Sequence, residues 1–168
     1  MFEAGCLLLF RPFLFKNGAD PKDKFFLVIE NVGDEVLLAS LPTSKDHVPS
    51  DIEVTRGCLD LSERFVNVFV FLSGEEVVCR ENGTSFSFSK NTFVYGADLD
   101  LYEVNKFELQ VQSNLTQIEI IGTLNSDIFE ELKNCLENSK MVKNKYRKML
   151  GKSYSSHQKW NSILMDLL

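Results

Sequence analysis

Up to about residue 121 the apolar residues of this chain come in short runs closed by turn residues, and beyond it they recur at helical spacing. Side chains alternate faces every ~2 residues along a strand and every ~3.6 around a helix, so a change of period marks a change of element. Cys6–Phe10, Phe25–Glu30 and Glu35–Leu41 read as strands, separated by the polar stretch Lys16 to Pro21 and the tight break Asn31 to Asp34. The second break suits a hairpin, with Gly33 free to take positive φ. Phe65–Leu72 is a nearly continuous apolar run, the pattern of a strand covered on both faces. Val77–Arg80 and Thr84–Phe88 flank Asn82-Gly83, a strong hairpin signal, and Thr92–Tyr95 adds another strand. Phe107, Leu109 and Val111 alternate with Glu108, Gln110 and Gln112, which predicts a half-buried strand, and Gln117–Ile121 supplies one more.

The helical part begins with Ile128, Phe129, Leu132, Cys135 and Leu136 on one face, Ser126 placed to cap and Asp127 favourable to the helix dipole. Met141 to Leu150 predicts a second helix, with Val142, Tyr146 and Met149 or Leu150 together and Gly151 just past its end. Trp160, Ile163, Leu164 and Leu167 share a face of a last amphipathic stretch, which either docks on the body or meets a partner. The expected fold is α+β, mainly β: an SH3-like small antiparallel barrel or rolled sheet over residues 1–124, with a helical basic C-terminal extension, 125–168, packed on it. Fourteen phenylalanines against one tryptophan suit a core made by strands.

Charge is divided as sharply as period. Residues 1–132 carry a net −12 and residues 133–168 a net +6, so an acidic body precedes a basic tail. No apolar run approaches the ~20 residues that cross a bilayer, and no basic segment precedes the apolar start, so neither a membrane nor a secretory signal is expected. The four cysteines, Cys6, Cys58, Cys79 and Cys135, are scattered with no close pair, and reduced thiols in a cytoplasmic protein are the expectation. Two histidines and this cysteine spacing give no metal site, and no cofactor motif is present.

Three polar clusters are candidates for chemistry. The loop Ser40 to His47 gathers hydroxyls, a carboxylate, a cation and an imidazole, the groups that serve phosphoryl transfer: His47 or Asp46 as base, Lys45 toward oxyanion charge. A solvated turn with local hydrogen bonds accounts for the same residues. The run Lys140, Lys143, Lys145, Arg147, Lys148 and Lys152 suits either phosphate contact, led by Lys143 and Arg147, or charge complementarity with the acidic body. Asp98 and Asp100 share a face if they lie on a strand, within reach of a divalent cation, yet no third ligand of defined spacing joins them.

Lys24–Glu30, a turn, Val36–Lys45 and then Val48–Val54 form a succession that resembles the PemK/MazF-like toxin barrels, over roughly residues 5–60. Those carry an R-P-x-L-V-L strand and an A-P-I-T-S-type strand end, followed by a loop and another strand. The resemblance implies an RNA-binding or RNA-cleaving, metal-independent endoribonuclease of a toxin–antitoxin system, with Thr43, Lys24, His47 and Asp46 as catalytic candidates. Lys45, Lys143 and Arg147 are then the candidates for RNA contact. The family's Arg and Pro match Lys24 and Phe25, and its Thr matches Thr43 with the proline displaced by one place. Lysine keeps the charge but lacks the bidentate fork that clamps a phosphate. The partners expected are RNA, an antitoxin or other protein, and a second copy of the chain in a homodimer. The alternative is a noncatalytic protein-interaction module that retains the barrel.

Overall fold

A computed structural model describes residues 1–42 and 51–151. The architecture is α+β and mainly β, with antiparallel pairing throughout both sheets. Seven strands form the larger sheet: β1 (Cys6–Phe13), β2 (Lys22–Asn31), β3 (Glu35–Leu41), β6 (Glu76–Cys79), β7 (Ser85–Ser87), β9 (Leu99–Glu103) and β10 (Gln117–Leu124). Their spatial order is β7-β6-β10-β1-β2-β3-β9. The smaller sheet has the order β4-β5-β8, from Gly57–Leu61, Val66–Phe71 and Thr92–Tyr95. The strands thus form two antiparallel sheets, and no barrel closes among the described residues.

Burial explains the near-continuous apolar runs. Leu7, Leu27, Ile29, Leu37 and Leu41 on one face of the large sheet join Phe69, Phe71 and Val94 of the small sheet in the main core. Leu8, Phe10, Phe26, Val28 and Leu38, one position out of phase, build a second core on the opposite face with Phe2, Phe13 and Phe107. Both faces of the central strands are therefore dry, as the run in β5 implied. Asn67 is the polar break in that run. It lies buried, and a Cβ on Gly96 would sit 2.4 Å from its Oδ1, which leaves room there for glycine alone.

Three α-helices lie among the described residues: α1 (Val104–Gln112), α2 (Ser126–Asn138) and α3, described over 144–151. The predicted strand at Phe107–Val111 is α1 instead. Only Phe107 of the three apolar residues is buried, while Leu109 and Val111 face solvent. Alternation over five residues could not separate one buried helix position from a strand face, and packing of Phe107 against Phe2 and Tyr102 decides for the helix. The N-cap of α2 is Asn125, not Ser126, and its side chain donates to the Glu76 carbonyl rather than capping. The second C-terminal helix begins at 144, not at Met141, and Gly151 lies within it. Val142, Tyr146 and Leu150 enter the main core as their spacing implied.

The cysteine expectation fails. Cys58 on β4 and Cys135 on α2 form a disulfide with Cα atoms 5.6 Å apart, while Cys6 and Cys79 remain free. The two residues are 77 positions apart, and it is the packing of α2 on β4 and β5 that brings them together.

Candidate functional site

β2 places Lys24 at the start of its long paired stretch, opposite Phe10 of β1. Period-two alternation puts Lys24 on the same face as Phe26, and Ser40 of β3 pairs beside Phe26. Because Phe25 pairs with Leu41, the chain leaving β3 at Leu41 and Pro42 runs alongside Lys24. Here lies a cleft of about 390 Å³. Phe13, Phe15 and Phe26 form its aromatic floor; Tyr102 and Asp100 of β9, Asp98 and Lys143 form the opposite wall. Lys24 and Lys143 thus share one cleft although 119 positions separate them in the sequence.

The charges in this cleft are not all available. Asp100 is saturated: Oδ2 accepts from Lys16 Nζ at 2.7 Å, and Oδ1 accepts from Tyr146 O–H at 3.3 Å and from Leu101 N–H at 3.0 Å. Burial raises the Asp100 pKa, but the bonds and charge of Lys16, with those from Leu101 and Tyr146, outweigh it and hold the carboxyl below its ordinary value. Lys16 also donates to the Leu101 carbonyl and lies 3.8 Å over the Tyr102 ring. Burial, with Asp100 and Tyr146 nearby, pushes the Tyr102 phenol up to about 12, so it stays neutral.

Lys24, Lys143 and Asp98 form no ion pair among the described residues, which leaves two cations against one carboxylate. The Lys24 amine is held below the ordinary lysine value, first by burial and then by Lys22, with Asp98 acting the other way. Its charge sits 5.4 Å from the Phe15 ring and 5.9 Å from that of Phe26, and Lys143 lies 5.5 Å from Tyr146.

Of the other residues singled out in the sequence, Arg147 points elsewhere: its Nε donates to the Glu137 carbonyl at the end of α2, at 2.9 Å. Thr43, Lys45, Asp46 and His47 lie outside the described residues, as do Lys152 and the amphipathic stretch from Trp160. Among the described residues no group of three or more His, Cys, Asp or Glu side chains could hold a metal ion. Lys16 and Tyr102 carry no sequence signal for this site, because only the fold brings the β1–β2 loop against β9. No helix among the described residues is long and apolar enough to cross a membrane. Comparison of the chain with protein-family models, with curated proteins and with solved structures finds no match.

Proposed function

We propose that the chain is a toxin-like RNA-binding protein that seats single-stranded RNA across the Lys24–Lys143 cleft. One observation carries this reading: two lysines that form no salt bridge among the described residues share a cleft with an aromatic floor and a single unbridged carboxylate, Asp98, beside the exit of β3. Phosphate contact by the lysines and base stacking on the exposed part of Phe15 together make a sequence-tolerant single-strand site. The two packed antiparallel sheets are taken as an opened form of the SH3-like barrel. Cleavage is assigned to Thr43, with His47 or Asp46 as base, on the segment that follows Pro42.

The test is fluorescence anisotropy with a labelled single-stranded RNA over a series of salt concentrations. Lys24→Gln with Lys143→Gln should weaken binding at least about tenfold and flatten the log–log salt slope by about 1.4, near 0.7 for each phosphate no longer neutralised. Native protein that binds no RNA, or a double variant that binds unchanged, defeats the proposal. Thr43→Ala should abolish cleavage and spare binding. Asp98 in the cleft and lysine where the family has arginine favour the second reading, a noncatalytic interaction module, and RNA bound but never cut by the native chain would select it over cleavage.

A further inference from the structure

The Cys58–Cys135 disulfide is not sealed in the core. Cys58 is exposed and Cys135 is buried, and together they line an open cavity of about 440 Å³ walled by Asp60, Phe69, Glu131 and Asn138. Behind the bond, Asn67 Nδ2 donates to Cys135 Sγ at 3.5 Å. Asn67 is 4% exposed, its Oδ1 has no hydrogen-bond partner, and its Nδ2 also donates to the Cys135 carbonyl at 3.5 Å, which holds the amide at this residue.

The geometry points to a thiol–disulfide exchange site at this cavity, with a dithiol reductant as co-substrate. A thiolate of the reductant attacks Cys58 Sγ, which belongs to the exposed member of the pair, and forms a mixed disulfide there. The Cys58–Cys135 bond breaks and its electron pair leaves on Cys135 Sγ, where the Asn67 N–H donates to the developing thiolate. The second thiolate of the reductant then attacks its partner sulfur, closes the reductant's own disulfide and releases Cys58. Two electrons pass from the dithiol to the protein, and two protons end on the two cysteines.

Charge selects among thiols. The cavity lining holds the carboxylates Asp60 and Glu131 and no cation among the described residues; Arg56, outside the lining, pairs with Glu131 at 2.6 Å, which leaves Asp60 to set the sign. A cationic thiol is therefore favoured over an anionic one. Opening the bond removes the covalent tie between β4 and α2 and leaves their packing and the Ser139 Oγ–Asp60 Oδ1 hydrogen bond, 3.2 Å.

The experiment uses the full chain purified without reductant. Alkylation after unfolding should count two free thiols, and four once native protein has been treated with dithiothreitol. Under native conditions peptide mass mapping should find the mixed disulfide with cysteamine or glutathione on Cys58 and not on Cys135. Cysteamine should react roughly two- to fivefold faster than glutathione at equal thiolate concentration, a ratio that salt narrows. Asn67→Ala should slow exchange severalfold; should that variant fail to fold, the mapping and the thiol comparison on native protein still decide. Four thiols free before reduction, a bond that opens only in denaturant, an adduct on Cys135, or glutathione reacting as fast as cysteamine would overturn the assignment.

Discussion

Lys24 shows how a single side chain can be placed by sequence and yet acquire its chemistry only from its surroundings. Hairpin register puts it beside the exit of β3, but its lowered pKa comes from burial and from Lys22. The sign follows directly. A folded-state pKa below 10.5 means the charged amine is disfavoured in the native protein at neutral pH, a cost relieved as pH rises through the folded value toward the unfolded one. Phosphate binding needs the charged form, so affinity for 2′-O-methylated RNA should begin to fall at a lower pH than an ordinary lysine would give. Lys24→Arg, always protonated, should hold its affinity to higher pH. Identical pH profiles for the two proteins would remove Lys24 from the binding site. Tyr102, kept neutral to about 12 and with Lys16 and Phe107 against its ring, offers a hydroxyl donor, not a base.

At the scale of elements, the hairpins were legible and α1 was not. Asn31 to Asp34 and Asn82-Gly83 announce their turns locally, because positive φ at Gly33 and Gly83 is a property of the residues themselves. The stretch Val104–Gln112 satisfies both periods, since a nine-residue helix with one buried anchor has too few apolar positions to declare itself. The two readings differ in energy. On a strand, Phe107 and Leu109 would bury together; on α1, Phe107→Ala should cost about 3–5 kcal/mol and Leu109→Ala within about 0.5 kcal/mol. Urea unfolding of the two variants measures this, and comparable losses at both positions would contradict the helix.

Across the whole molecule, the decisive contacts join residues far apart in sequence. Lys133 pairs with Glu30 at 3.1 Å, both side chains largely buried, and Tyr146 reaches Asp100 from inside the main core. Part of the basic tail thus complements the acidic body while Lys143 reaches the cleft. Closing a 77-residue separation, the disulfide restricts the unfolded chain, and the loop-entropy model assigns it about 4.5 kcal/mol. Cys58→Ser with Cys135→Ser should therefore lower the urea midpoint of the non-reduced protein, and an unchanged midpoint would mean that the bond does not constrain the chain. Apolar period, turn residues and charge bias are local quantities, and from them the sequence by itself determined the strands β1–β3, β5–β8 and β10, the helices α2 and α3 and the acidic–basic division. Strand order, the division of the strands between two sheets, α1, the Cys58–Cys135 bond and the meeting of Lys24 with Lys143 were decided only by tertiary structure. Each depends on which distant surfaces bury one another, and that is settled by the summed packing of the whole chain rather than by the preference of any segment.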